Sequence, residues 1–277
     1  MNKSIKITYI ASLSHSGSTI LGIILGAHSD TICLGEIYPS LLYGKGQSDV
    51  CTCGQPFSSC PIWGNFSESK TTLENYAESY CNLVKHASNN GEKVVIDCSK
   101  RVLALQPILK CNKLEIKVIW LLKDIRSYIY SQIMRKKRTE LMQKDSWRRI
   151  YTTTILYNIL QWRIGNGKIL HFLKQNKIPF IKAGYEELCF HSEKIIKIIS
   201  DFTGIKYEFN TLNLQPAQTH MMRGNRLRMN NASKIFTLRY DYRWMKEPEI
   251  TKSLPLIMPF MKWNIKHVYS NSEISNT

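Results

Sequence analysis

The sequence predicts an α/β fold, a three-layer sandwich with helices on both faces of a central parallel sheet. Three observations predict it. Short apolar or β-branched runs stand out at 5–11, 93–96, 117–122 and 178–182. Helical patterns separate them, and strands that alternate with helices form βαβ units. The runs also lack polar alternation, as expected of strands buried on both faces.

Taken in order, 5–11 is the first strand. Residues 1–13 hold two lysines and an apolar stretch, but no small-residue cleavage site stands clear of the polar turn that follows, so they are not read as a leader. Residues 19–27 form an apolar helix far short of the ~20 residues that cross a bilayer. Residues 43–70, rich in Gly, Ser, Cys and Pro, form a long excursion. Helices are expected at 73–88, 103–111, 126–138, 146–175 and 192–202. The long one carries Trp147, Ile150, Ile155, Ile159, Leu160, Trp162, Ile169, Leu170 and Leu173 at mostly helical spacing, which reads as a buried face. Residues 207–231 are polar with little periodicity, and so long a loop is functional or disordered. With no repeat or linker, 1–277 reads as one domain.

The 277 residues include 38 Lys and Arg against 21 Asp and Glu, a formal charge of +17. An apolar fraction of 43% excludes a disordered chain. The eight cysteines are scattered apart from Cys51, Cys53 and Cys60, which is no secreted disulfide framework, so a reducing cytoplasm is expected. The excess charge calls for an anionic partner. Residues 110–149 hold 12 basic and 4 acidic side chains and residues 220–246 hold 7 and 1, together +14 of the +17. Charge alone would suit nucleic acid, a membrane surface or a small phosphorylated or sulfated ligand; the family resemblance carried by the motifs that follow assigns both segments to a polyanionic nucleotide, so no nucleic-acid partner is expected.

Two motifs carry the chemistry. Ser14-His15-Ser16-Gly17-Ser18-Thr19 lies between the first strand and a helix. Such a turn offers backbone N–H groups, hydroxyls and the positive end of a helix dipole to an anion. It also reads as a serine-rich turn that caps a helix. The ATP-type loop G-x-x-x-x-G-K-[ST] is absent. The second motif follows the strand at 117–122. Lys123 stands at its carboxyl end, where open parallel sheets bind ligands, and Ser131 can face the same cleft from the next helix. A strand, loop and helix with solvated charges would look the same.

S-x-S-G-S-T after the first strand, with a basic residue and a serine eight positions on after a mid-chain strand, resembles the PAPS-dependent sulfotransferases, PAPS being 3′-phosphoadenosine 5′-phosphosulfate. Leu34-Gly35-Glu36 and Asp97-Cys98-Ser99-Lys100 resemble segments of the bacterial and tyrosylprotein-type branch. Cys51-x-Cys53-Gly54 with Cys60-Pro61-x-Trp63 resembles an insertion of the bacterial branch, and Tyr185-Glu186-Glu187-Leu188 resembles a segment of many relatives whose role reads as structural. The resemblance runs over about residues 5–245. It implies a P-loop-NTPase-like sulfotransferase fold in which Ser14 to Thr19 hold the 5′-phosphosulfate. Lys123 and Ser131 would hold the 3′-phosphate, and Arg223, Gly224, Asn225 and Arg226 would close over the nucleotide. Lys123 keeps the charge of the arginine usual there without its fork, and His15 replaces the usual Lys or Arg.

Glu36 is then the expected general base, with Lys100 and His15 stabilising the sulfuryl and bridging oxygens. No metal is expected to be required. The acceptor hydroxyl or amine would belong to a small molecule, carbohydrate, lipid or peptide. The alternatives are a P-loop-type phosphotransferase, with Asp97 as a possible acidic ligand, and a basic nucleic-acid or zinc-binding protein. The three clustered cysteines fall one short of a structural zinc set. His28 and His86 lack finger spacing. Packed free thiols, a disulfide, and zinc with a distant fourth ligand stay open, the first favoured.

Overall fold

The computed structural model describes residues 4–44, 50–66, 71–140, 154–206, 219–224, 238–269 and 274–275. In chain order the main elements are β1 (Ile5–Ser12), α1 (Ser18–Leu25), β2 (Thr31–Gly35), α2 (Ile37–Tyr43), α3 (Tyr76–Ala87), β3 (Val94–Lys100), α4 (Val102–Ile108), β4 (Leu114–Leu122) and α5 (Ile125–Glu140). They continue as α6 (Ile155–Gln175), β5 (Phe180–Gly184), α7 (Tyr185–Phe190), α8 (Ser192–Thr203), α9 (Pro248–Lys252), α10 (Leu254–Val268) and the two-residue β6 (Ile274–Ser275). The sheet order is β2-β3-β1-β4-β5-β6. Five strands are parallel, and β6 adds antiparallel to the edge of β5.

Alternation along the strands divides the core into two layers. Ile5, Ile7, Tyr9 and Ala11 of β1 join Val118, Trp120 and Leu122 of β4 on one face, under α3, α5, α6 and α10. Ile10, Ile96, Ile119, Leu121 and Ile181 face the other way, against α1 and α8. A side chain at Gly22 of α1 would begin 2.5 Å from the Cys98 sulfur, so the bare glycine lets α1 seat on β3. The three-layer α/β expectation agrees with this architecture. Among the described residues, no helix is long and apolar enough to cross a membrane.

Three details depart from expectation. The edge strand β2 was not foreseen. Its five residues are too few to show a period, and pairing with β3 makes the strand. The helix α10 was not foreseen either. Pro255 lies in its first turn, where no donor is needed, and Pro259 costs one early bond. Packing compensates, because Trp263 meets Trp162 edge-on at 5.0 Å and Trp120 at 6.2 Å. In α6, Ile159, Trp162, Ile169 and Leu173 are buried as expected, but Leu160 points outward at 44% exposure. Residues 146–153 of the expected helix, with Trp147 and Ile150, lie outside the described residues, and Thr154 caps α6 by accepting from the Tyr157 amide.

Glu186 of α7 is fully buried, and its Oε2 accepts the Asp124 amide at 2.9 Å. Burial, reinforced by the Asp124 charge, pushes its carboxyl up to about 7. An acid with a raised folded pKa stabilises the fold below its unfolded pKa and loses that contribution as pH rises through the folded one. Glu186→Gln should therefore match the wild type near pH 4 and melt about 3–6 °C higher near pH 8. Parallel melting curves at both pH values would refute it.

Candidate active site

The five parallel strands end on one edge. The turn 13–17 follows β1, Glu36 follows β2, Lys100 ends β3, Lys123 follows β4 and Tyr185 follows β5. The order reverses at β1, the position where such sheets bind ligands. With strands ~4.8 Å apart, Glu36 and Lys100 flank the turn on one side and Lys123 on the other.

The turn is tightly wound. His15 and Gly17 are both left-handed, with φ of 66° and 95°. A side chain on Gly17 would begin 2.4 Å from a Tyr185 ring carbon. The Gly17 carbonyl accepts the Ile20 and Leu21 amides, which starts α1. The Ser14 carbonyl accepts from Gln132 Nε2 on α5 at 2.9 Å. Ser16, Ser18 and Thr19 are buried at the head of α1, whose dipole is positive there.

On the β2–β3 flank, the Lys100 ammonium donates directly to Glu36 Oε1. Both side chains are partly exposed. The two segments are locked in place by Asp97. Its carboxylate accepts from the Ser99 amide at 2.8 Å, the Ser99 hydroxyl at 2.5 Å, the Tyr80 hydroxyl at 3.1 Å and the Ile37 amide. The Ser99 oxygen in turn accepts the Tyr38 amide at 2.9 Å. Asp97 thus fixes the start of α2, and Glu36 stands at its N-cap position over Lys100. Burial pushes the Asp97 carboxyl up to about 7. Asp97 therefore anchors α2. It is fully buried and turned toward these donors.

On the β4 flank, Lys123 and Ser131 meet. The ammonium donates to Ser131 Oγ at 2.9 Å and to Asp241 Oδ2 at 3.1 Å, and it lies 5.3 Å from the Tyr185 ring centre. Arg243 grips the same carboxylate through Nε at 2.7 Å and Nη2 at 3.0 Å. Burial opposes the Asp241 charge, but Arg243 and Lys123 outweigh it and hold the carboxyl below its ordinary range. Asp124 is fully buried. It accepts Arg126 Nε at 2.9 Å and Nη2 at 2.8 Å, together with Asn264 Nδ2 and the Tyr269 hydroxyl, each at 2.9 Å. Burial opposes this charge too, but the Arg126 bonds more than offset it and hold the carboxyl low.

The structure therefore brings together Ser14 to Thr19, Lys123 and Ser131, and separately Glu36 with Lys100. Arg223 stands elsewhere. Its guanidinium donates to the Tyr43 and Gly44 carbonyls at the end of α2. Gly224 follows it, while Asn225 and Arg226, with most of the 207–231 loop, lie outside the described residues. Sequence reasoning did not single out Asp241, Arg243 or the site-facing Tyr185, whose segment was read as structural. One signal was available: a buried lysine needs a counter-charge, and residues 220–246 contain one acid, Asp241.

No known family profile matches the chain, and no curated protein matches it by sequence. Solved structures do match in fold. The sulfotransferase domain from the Synechococcus PCC 7002 olefin synthase superposes with a TM-score of 0.55 at 18% identity, over 90% of this chain and 86% of that one. The sulfotransferase domain from the curacin biosynthetic pathway superposes with a TM-score of 0.51 at 18% identity, over 92% and 98%. The fold is the one these sulfotransferase domains share.

Gly17→Ala should cost about 1–3 kcal/mol in denaturant unfolding, through left-handed strain and the Tyr185 clash. A change below about 0.5 kcal/mol would contradict the requirement for glycine.

Proposed function

We propose that this chain is a sulfotransferase that moves a sulfuryl group from PAPS to an acceptor hydroxyl or amine. The observation that carries the reading is the Lys123–Ser131 contact at 2.9 Å, set across the sheet edge from the Glu36–Lys100 pair, with the turn 13–17 between them. The fold shared with sulfotransferase domains supports it.

In this reading the turn and the head of α1 hold the 5′-phosphosulfate, and Lys123 with Ser131 holds the 3′-phosphate. The acceptor oxygen or nitrogen attacks sulfur in line, the bond from sulfur to the bridging oxygen breaks, and the bisphosphate leaves. Glu36 takes the acceptor proton. Lys100 meets the charge that develops on the sulfuryl and bridging oxygens, and His15 shares that work. Lys100 donates to Glu36, so an anion that draws Lys100 away frees the carboxylate to act as a base. The same competition occurs at Lys123, where a phosphate must share the ammonium with Asp241. The charge stabilisation comes from side chains, and the transfer step needs no metal.

The acceptor would be a small molecule, carbohydrate, lipid or peptide. Phosphotransfer is the weaker reading. The turn lacks the loop lysine, and Asp97, the acid available to a magnesium ion, is fully buried and hydrogen-bonded to Ser99 and Tyr80.

Adenosine 3′,5′-bisphosphate should stabilise the protein against heat without magnesium, and ATP should not. No stabilisation at millimolar bisphosphate would sink the proposal. Glu36→Gln should lose about 100-fold or more in turnover while binding the bisphosphate normally, and near-normal turnover would remove Glu36 as the base. Lys123→Ala should weaken bisphosphate binding by about tenfold or more. Asp241→Asn should tighten it by about tenfold at low ionic strength, because the competing carboxylate is gone. Weaker binding in that variant would show that Asp241 positions Lys123 for the ligand instead of competing with it.

A further inference from the structure

The excursion after α2 and the segment ahead of the closing loop meet at four soft donors. Cys51, Cys53, Cys60 and His220 bring three sulfurs and one imidazole nitrogen within 4.8 Å of one another. The Cys53 and Cys60 sulfurs are 3.8 Å apart, and His220 Nδ1 lies 3.3 Å from Cys60 Sγ and 3.9 Å from Cys51 Sγ. Around a tetrahedral zinc, metal–sulfur bonds of ~2.3 Å and metal–nitrogen bonds of ~2.0–2.1 Å place sulfurs about 3.8 Å apart and sulfur and nitrogen about 3.5 Å apart. The Cys53–Cys60 separation equals the first value, the two sulfur–nitrogen separations of 3.3 and 3.9 Å bracket the second, and all four donors lie within 4.8 Å of one another.

The supporting shell has the form of a metal knuckle. The Cys53 amide donates to the Cys51 sulfur, and the Ile62 and Trp63 amides donate to the Cys60 sulfur. Gly54, left-handed at φ 87°, turns the chain between the second and third cysteines, and its amide bonds the Cys51 carbonyl at 2.9 Å. His220 is fixed at both ends of its backbone. Its amide donates to the Cys33 carbonyl of β2 at 2.8 Å, and its carbonyl accepts from Trp63 Nε1 at 2.6 Å. Thr52 stitches the two segments together: its hydroxyl donates to the Thr219 carbonyl at 2.7 Å and accepts the Met221 amide at 2.9 Å. Cys51 and Cys60 are buried while Cys53 and His220 are partly exposed, which leaves an entry path. A disulfide would join two of the sulfurs at about 2.05 Å and leave the third sulfur and the imidazole without a role.

We infer that Cys51, Cys53, Cys60 and His220 form a structural zinc site that staples the excursion to the 219–224 segment. Four protein donors complete the tetrahedron and leave no open position, so the ion is structural and not catalytic. Its place in the fold gives it a purpose. The segment that carries His220 lies behind the β2–α2 turn: the Arg223 carbonyl would stand 2.8 Å from a Cβ on Gly35, and the Arg223 side chain bonds the end of α2. The ion would therefore brace the outer wall of the turn that carries Glu36. This inference holds whichever reaction the cleft performs.

The test uses the full chain, purified under reducing conditions without chelator. Elemental analysis should find about one zinc per chain. Cobalt titrated into metal-stripped protein should give the thiolate-to-metal charge-transfer band and the visible bands of a tetrahedral thiolate site. Cys53→Ser and His220→Ala should each weaken zinc by about 100-fold or more in chelator competition, and His220→Cys should keep it. If these variants do not fold, the wild-type cobalt spectrum decides alone. Folded, metal-free wild type with no tetrahedral cobalt spectrum would overturn the site, as would a disulfide among the three cysteines in reduced preparations. Unchanged zinc affinity in folded His220→Ala would overturn the assignment of the fourth ligand.

Discussion

The buried carboxylate of Asp124 is the constraint on which the cationic side of the cleft depends. A carboxylate with no exposure is tolerated only when its charge is paired and its lone pairs are filled. Here Arg126 answers the charge, while Asn264 and Tyr269 reach in from α10 and the segment just beyond it, about 140 residues away. The Asp124 amide bonds Glu186 of α7, and the neighbouring Lys123 carbonyl accepts from Trp162 Nε1 of α6 at 2.8 Å. The end of β4 is thereby clamped by α5, α6, α7 and α10. The direction in which Lys123 projects follows from that clamp.

The cations of the site are engaged by acids of the chain itself. Lys100 is held by Glu36, and Lys123 and Arg243 are held by Asp241. Binding an anion there is an exchange of partners, not the filling of a hole. Exchange lowers raw affinity, because each ligand oxygen competes with a carboxylate already in place. It also favours ligands that bring two anionic groups at the right separation, since one phosphate alone cannot release both flanks. The net charge of +17 adds a long-range field to these short-range exchanges.

Much of the site was legible in sequence because its parts are local. The turn 14–19 is one contiguous segment with the residue types that a strand-to-helix anion turn needs. Lys123 and Ser131 are separated by a strand end and two turns of helix, so their meeting follows from helix geometry alone. Glu36 and Lys100 are 64 residues apart and were paired only through the family resemblance. Their contact rests on β2 lying beside β3, and β2 was the strand not foreseen. His220 was out of reach in a stronger sense, since the segment before it shows no period from which a path could be drawn.

By itself the sequence determined the layered α/β class, the strand and helix alternation, the strand-to-helix turn at 14–19 and the concentration of charge in two segments. These are properties of short windows, where side-chain period and turn chemistry act without reference to the rest of the chain. Only the tertiary structure decided the partners: which acid meets Lys123, what fills the lone pairs of Asp124, and which histidine joins Cys51, Cys53 and Cys60. Those choices depend on strand order and on long returns of the chain. A charge or a thiol in the sequence declares that it needs a partner, but only the folded path brings that partner within hydrogen-bond distance.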